Sequence, residues 1–294
     1  MNNYFVGAVI YADDITLLGP SRSSVRSLLN VCTVYAKKYD ILFNPTKTTC
    51  MYFSKKAQYN PGPMLSFFND EIKYVSSIEF LGVTISNSDV TDRNIQRSTQ
   101  GFYRKANEAL SDFKIATCDV KSKLLSIHCM DAYGSQLWPF YDKSVLKYYV
   151  AWRKTIRKLW RLPYKTHCRY LHTINDCLPI DVLLEKRCLK FIVSCLQTSN
   201  KIVSSITLSS IKHEYSVIGE NYRYLSYKYN ILPNDWNNEL ANILKKFFSS
   251  VERIYANYPE AIFIRDICMQ IDNDELEILS AEEMSQLVEY LCTI

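Results

Sequence analysis

The sequence lacks several features that would place it in a familiar class of protein. No apolar run approaches the roughly 20 residues that a membrane helix needs, and no two of the ten cysteines form a CxxC pair. The first residues carry no basic segment ahead of an apolar stretch, so a secretion signal is not expected. The thiols are therefore expected to be reduced in an intracellular setting, with the compartment left open.

What is present is a hydrophobic chain with an uneven distribution of charge. The 294 residues are 48% hydrophobic, which is enough for one large or two modest cores. The net charge is +5, yet residues 260–294 hold nine acidic residues and one basic residue, so the rest of the chain carries +13. A basic body with an acidic tail fits a phosphate-binding surface, although an ordinary solvated surface has the same composition.

One stretch near the N-terminus points to metal chemistry. Two apolar, β-branched runs flank Tyr11-Ala12-Asp13-Asp14, and this pattern predicts a β-hairpin with Asp13 and Asp14 at its tip. Ile10 and Ile15 are expected to point into the sheet. Adjacent carboxylates repel each other, and Mg²⁺, which is held by one or two carboxylates plus substrate phosphates, relieves the repulsion. The alternative is a water-exposed Asp-Asp turn.

The next residues predict a helix and further strands. Ser21 is expected to cap a helix that carries an apolar stripe on one face. The stripe comprises Val25, Leu28, Leu29, Cys32 and Ala36. Lys47 follows a turn set by Asn44-Pro45, and a solvent-exposed turn lysine is its plain interpretation. A second hairpin is expected around Asn69-Asp70. Glu79–Ile85 is expected to be one strand in which Gly82 marks a bulge or a close backbone approach.

From about residue 89 the pattern is helical. Helices are expected to about residue 114, then at 120–137, 144–160, 179–196, and near 234–255 and 281–291. In the helix at 120–137, the apolar residues that we expect to be buried are Leu124, Leu125, Ile127 and Met130. The Ser- and Thr-rich residues 198–210 are expected to form a linker. His167, His172 and Cys177 lack the close cysteine pairs of structural zinc sites, so core or surface roles are favoured for them.

The helix predicted at 144–160 is the most basic segment of the chain. It contains Arg153, Lys154, Arg157 and Lys158 interleaved with aromatic residues, and such a pattern can track a nucleic-acid backbone. Trp152 and Trp160 lie eight residues apart and are expected to pack inward. The alternative is a core helix with a solvated basic face.

At this point the sequence resembles a family. Tyr11-Ala12-Asp13-Asp14 is similar to the catalytic hairpin of reverse transcriptases, and the residues after it resemble those of non-LTR (LINE-type) retrotransposon polymerases. The further matches are Ser21 to Leu29, Cys32, Tyr35-Ala36, Phe43 to Thr48, Met51, Phe53, Phe80 to Val83, Ala132 to Trp138, Ala151 to Lys154 and Leu162 to His167. They cover about two thirds of the chain in the family's order.

The resemblance implies an RNA-directed DNA polymerase that uses two metal ions, taken to be Mg²⁺, with an RNA template, a DNA primer and nucleotides as partners. It makes Asp13 a metal ligand, adds Asp14 to the same pocket, and sets Tyr11 beside the primer terminus. Lys47 would donate a proton to the departing pyrophosphate. Phe80, Leu81 and Gly82 would support the primer 3′ end.

The resemblance also implies an α+β fold divided into three parts. Residues 1–88 would be a palm remnant, with four or five antiparallel strands and one packed helix. Residues 89–165 would be a helical, thumb-like region that includes Arg153, Lys154, Arg157 and Lys158, and residues 166–294 a helical C-terminal extension. No membrane partner is expected, and the oligomeric state is left open.

One departure from the family limits the activity that we expect. None of the ten residues before Tyr11 is acidic, whereas the family places a further metal-binding aspartate upstream. We therefore expect a fragment that is inactive alone, or a gene whose upstream exons were lost. The alternative is a non-enzymatic nucleic-acid or protein interaction module derived from a retroelement. No motif with chemistry follows Cys177.

Overall fold

The computed structural model describes residues 6–53, 62–87, 91–130, 132–213 and 216–229. The chain forms two compact units, Met1–Val90 and Thr91–Ile294. Among the described residues the fold is mixed α+β, about 58% helical with small sheets, so the predicted fold class is confirmed at this level. The helices predicted near 234–255 and 281–291 and the acidic tail lie outside the described residues.

The first unit contains seven short strands and one helix among its described residues. They are β1 (Ala8–Tyr11), β2 (Asp14–Leu17), α1 (Arg22–Tyr39), β3 (Thr49–Cys50), β4 (Leu65–Phe67), β5 (Asp70–Tyr74), β6 (Ser77–Phe80) and β7 (Val83–Ser86). They form three separate sheets with the orders β1-β2, β3-β5-β4 and β6-β7. The β3–β5 pair is parallel and the other pairs are antiparallel.

This arrangement corrects the prediction of one antiparallel sheet of four or five strands. Two-residue turns join β1 to β2, β4 to β5 and β6 to β7, so these strands pair with their sequence neighbours, and of the described strands only β3 pairs across a longer connection, with β5. The turn between β4 and β5 is Phe68-Asn69, with φ of 52° and 70°, rather than the predicted Asn69-Asp70. Positive φ at both central residues matches the right-handed twist of the flanking strands.

Helix α1 forms as the sequence predicts. The Ser21 hydroxyl accepts a hydrogen bond from the Ser24 backbone N–H at 3.2 Å, and the two residues form a capping box. Leu29 and Ala36 of the predicted stripe are buried. The core of this unit is small, because its fully buried cluster contains only Leu29, Leu65, Phe67 and Ile72 among the described residues.

The regular secondary structure of the second unit is helical among its described residues. It contains α2 (Thr91–Asp112), α3 (Cys118–Leu124), α4 (Leu146–Leu159), α5 (Cys168–Ile174), α6 (Ile180–Gln197), α7 (Lys201–His213) and α8 (Val217–Tyr229), with 3-10 turns at Ser135–Leu137 and Lys143–Val145. Buried side chains from before and after residue 165 share one core. None of the described helices is long and apolar enough to cross a membrane.

The helix predicted at 120–137 is shorter than expected. Helix α3 continues into a π-helical turn at Leu125–Cys129 and ends there, and Gly134 has a left-handed φ of 73°. A π-helical turn changes the angle between successive side chains, so the helix face rotates. Leu125 is therefore fully buried, as predicted, whereas Ile127 is 72% exposed, which contradicts the predicted stripe.

The Ser- and Thr-rich stretch predicted as a linker is helical from Lys201 onward. The Asn200 side-chain oxygen accepts hydrogen bonds from the backbone N–H groups of Ile202 and Val203, at 3.0 and 3.4 Å, and so satisfies the start of α7. Within the helix, the Thr207 hydroxyl donates to the carbonyl of Val203 at 2.9 Å. Local caps and side-chain bonds of this kind let polar residues stay in a helix.

Asn221 joins three elements of the second unit. Its side chain is fully buried, and its Oδ1 accepts a hydrogen bond from the Phe140 backbone N–H at 2.8 Å. Its Nδ2 donates to the Trp138 carbonyl at 2.7 Å and to the Cys188 Sγ at 3.6 Å. The amide thus fastens the turn before α4 to helices α6 and α8.

Candidate functional site

The Asp13-Asp14 hairpin forms as the sequence predicts. Tyr11 pairs with Asp14 and Ile10 with Ile15, which leaves a two-residue loop at Ala12-Asp13. Ala12 has a φ of 50°, a left-handed conformation in which a β-carbon costs about 1–2 kcal/mol. Strained residues of this kind persist where the surroundings impose them, and they are common at functional sites. Asp13 in the loop and Asp14 at the start of β2 are both exposed.

The apolar residues of the hairpin do not point into a sheet as predicted. Ile10 is 67% exposed, and Ile15 and Tyr11 are exposed as well. The physical reason is that β1 and β2 pair only with each other among the described strands, so one face of this ribbon lacks a layer to cover it. β1 therefore has an outer edge without a described partner strand.

Lys47 lies in a turn that a single asparagine holds. The Asn44 side-chain oxygen accepts hydrogen bonds from the Thr46 backbone N–H at 3.1 Å, the Thr46 hydroxyl at 2.7 Å and the Lys47 backbone N–H at 3.3 Å. The Thr48 hydroxyl donates to the Asn44 carbonyl at 2.9 Å. These bonds fix the Lys47 backbone while its side chain is exposed.

Phe80, Leu81 and Gly82 form a hairpin rather than the continuous strand predicted at Glu79–Ile85. β6 ends at Phe80, and Leu81 and Gly82 have φ of 48° and 74°. Positive φ at both turn residues reverses the chain tightly, and glycine adopts it without a steric cost. Leu81 is therefore presented at an exposed hairpin tip.

The carboxylates of the first unit suit a hard cation only in part. Among the described residues, no group of three or more His, Cys, Asp or Glu side chains could hold a metal ion. Asp13 and Asp14 supply the oxygen donors that Mg²⁺ prefers, and Mg²⁺ takes its remaining oxygens from water and substrate phosphates. The two carboxylates therefore supply only part of the oxygen donors that an Mg²⁺ ion takes.

The four basic residues predicted on the helix at 144–160 all lie on or beside α4, but their environments differ. Arg157 is half-buried, and its Nε and Nη2 donate to the Thr166 carbonyl at 3.1 and 2.8 Å. Burial lowers the pKa of Arg157. Arg153 is half-buried with its guanidinium 6.0 Å from the Tyr149 ring centre. The side chains of these two arginines therefore make contacts within the protein.

Lys154 and Lys158, by contrast, are exposed. Together with exposed Lys147 they are spaced seven and four residues apart, so all three project from one side of α4; we call them the α4 lysine face. The Lys158 Nζ donates to the Asn107 side chain of α2 at 3.1 Å. Trp152 and Trp160 are buried on the opposite side, as predicted.

No carboxylate accompanies this face in the sequence. Residues 143–175 contain nine lysines and arginines and no aspartate or glutamate. The positive charge of the segment is therefore not neutralised by acidic neighbours in the same stretch, which is the charge pattern of a phosphate-binding surface.

The histidine and cysteine residues near α5 have separate roles. The His167 Nδ1 accepts a hydrogen bond from the Arg169 backbone N–H at 3.2 Å and so caps α5. His172 and Cys177 line a small cleft that also contains Arg153 and Asp181. Burial lowers the pKa of His172 and raises that of Cys177.

Tyr164 is a surface residue that the sequence reasoning did not single out as a site. It lies in the loop after α4 and is 79% exposed, between exposed Arg161 and Lys165. The sequence signal that could have identified Tyr164 is its position in the stretch Leu162 to His167, directly after the basic helix.

Comparison with known proteins identifies no relative. No protein-family model matches the chain, and no curated protein and no solved structure matches it. The resemblance to reverse transcriptases therefore rests on the sequence motifs and their order.

Proposed function

We propose that this chain is part of a retroelement-type reverse transcriptase, comprising the Asp13-Asp14 hairpin and a helical region that binds nucleic acid. The observation that carries the proposal is the tight hairpin that displays both carboxylates beside left-handed Ala12. The Tyr-Ala-Asp-Asp sequence of the loop and the acid-free basic segment of the second unit support it.

In such a reaction two Mg²⁺ ions stabilise the attacking 3′ oxygen and the departing phosphate oxygens. Asp13 and Asp14 would hold metal through their carboxylates. Lys47, on its turn fixed by Asn44, would offset the charge of the triphosphate and give a proton to the pyrophosphate. Tyr11 and the Leu81-Gly82 turn would lie beside the primer end.

The nucleic-acid part of the proposal is tested by a salt titration of binding to an RNA–DNA primer–template duplex. The double variant Lys154→Glu/Lys158→Glu is compared with wild type and with Lys201→Glu/Lys212→Glu. The control reverses two exposed lysines of α7 in the same unit. The slope of log K against log salt should decrease in magnitude by about 1.4–1.8 in the α4 variant alone, since each of the two lost phosphate contacts removes about 0.7–0.9. Equal slopes in all three proteins would refute the proposed surface.

The catalytic part is tested by adding Mn²⁺ to the ¹⁵N-labelled polypeptide and following its amide signals. Paramagnetic broadening centred on residues 11–15 is expected, with loss of the effect in Asp13→Asn. For the 294-residue polypeptide we also expect no primer extension on an RNA template. Extension that depends on Asp13 would show that these residues suffice for catalysis.

The second candidate is an interaction module without catalysis, derived from a retroelement. The exposed apolar side chains of the hairpin favour it, as does the lack of a third metal ligand among the described residues. Salt-dependent nucleic-acid binding without Mn²⁺ broadening at the hairpin would select this candidate. Broadening that disappears in Asp13→Asn would select the polymerase fragment.

A further inference from the structure

The loop that follows α4 is held firmly on both sides of one exposed ring. Trp160, Leu162 and Thr166 are buried, and the Leu162 backbone N–H donates to the Arg157 carbonyl at 2.8 Å. On the far side, the Arg157 guanidinium donates twice to the Thr166 carbonyl. The loop is thus anchored before and after Tyr164.

Within these anchors the chain makes a β-turn. The Thr166 backbone N–H donates to the Pro163 carbonyl at 3.0 Å, so Tyr164 and Lys165 are the two central residues of the turn. Proline restricts the backbone at the first position. The Tyr164 side chain is therefore displayed from a rigid backbone, and little conformational freedom of the loop remains to be lost when a ligand binds.

The surroundings of the ring indicate the kind of ligand. A single exposed aromatic residue is common on protein surfaces and means little alone. Here exposed Arg161 and Lys165 flank Tyr164 in the sequence, within the acid-free segment that follows the α4 lysine face. Cations that neutralise phosphates next to a ring that stacks on a base are how proteins bind single-stranded nucleic acid.

We propose that Tyr164 is a stacking platform for an unpaired base, so that this surface binds single-stranded nucleic acid through phosphate contacts on α4 and a base on the Tyr164 ring. The inference rests on the proposed nucleic-acid binding and specifies its substrate. In a duplex the bases are already stacked and paired, and a ring at the protein surface has no unpaired base to receive.

The test measures binding of a fluorescein-labelled 15-nucleotide single-stranded DNA and of the blunt duplex of the same sequence, by fluorescence anisotropy. Tyr164→Ala is compared with wild type, with Tyr164→Phe and with Tyr227→Ala, an exposed tyrosine of α8 in the same unit. Tyr164→Ala should weaken single-strand binding by about tenfold and leave the salt slope and the duplex affinity unchanged. Tyr164→Phe and Tyr227→Ala should bind like wild type.

Three results would overturn the inference. They are a change below twofold in Tyr164→Ala, an equal loss on the duplex, and an equal loss in Tyr164→Phe, which keeps the ring. The charge-reversal variant separates this failure from failure of the proposed function. If Lys154→Glu/Lys158→Glu loses binding and Tyr164→Ala does not, only the stacking role is wrong. If wild type binds neither probe, both proposals are wrong.

Discussion

Replacing Asn221 by leucine should destabilise the second unit strongly. Leucine has a similar size, but it leaves the Phe140 N–H and the Trp138 carbonyl without the amide that they bond at 2.8 and 2.7 Å. Both groups belong to buried residues, and an unsatisfied buried group costs about 1–3 kcal/mol. Two such losses, offset in part by the apolar side chain, give an expected decrease of about 3 kcal/mol in the free energy of unfolding.

Urea denaturation followed by tryptophan fluorescence measures this decrease, because all four tryptophans lie beyond residue 91 and report on the second unit. The midpoint should shift without a large change in the m-value, which would mean that stability and not compactness changed. Tyr227→Leu is the matched control, since Tyr227 lies on the same helix and is 92% exposed. A decrease below about 0.5 kcal/mol in Asn221→Leu, within the usual range of surface substitutions, would refute the reasoning.

Three further predictions concern stability. Lys228→Met leaves buried Glu185 without the ammonium that bonds both its oxygens at 2.8 and 2.9 Å, and should cost about 2–3 kcal/mol at pH 7. Burial already raises the pKa of Glu185, so the folded protein holds the carboxyl proton more tightly than the unfolded chain does. The contribution of this group to stability is therefore present at low pH and lost as pH rises. The cost of Lys228→Met in urea melts should accordingly shrink towards pH 5. Arg157→Lys keeps the charge but not the planar fork that binds the Thr166 carbonyl, so stability should fall by about 1–2 kcal/mol while the salt slope of DNA binding stays constant; a changed slope would contradict the structural role. Ala12→Gly removes the β-carbon that strains the left-handed conformation, so the free energy of opening the hairpin, measured by hydrogen exchange, should rise by roughly 0.5–1 kcal/mol. Faster exchange in the variant would argue against strain.

Local rules predicted the parts of the fold that local chemistry decides. The Ser21 cap, the hairpin around Ala12-Asp13 and the inward-facing Trp152 all follow from side chains within a few residues of one another. The sequence therefore predicted the α1 and α4 helices and the position of the Asp13-Asp14 tip.

The errors arise where a few backbone angles override the pattern. Leu81-Gly82 looked like a strand interior because leucine seldom adopts positive φ, yet the turn requires it at both residues. The π-helical turn moved Ile127 to the surface, and no hydrophobic period reveals a turn with an extra residue. Arg157 looked equivalent to Lys158, and only the position of the Thr166 carbonyl, nine residues away, separates an anchoring side chain from an exposed one.

The separate small sheets of the first unit have a consequence for how it folds. The three hairpins pair residues that lie close together in sequence, so each can form within about 1–10 μs and without waiting for the others. The parallel pairing of Thr49 with Lys73 is different, because it joins residues on either side of a long chain segment. Closing that segment costs conformational entropy before the strand contacts can offset it. We therefore expect the β3–β5 pairing to form later than the three hairpins.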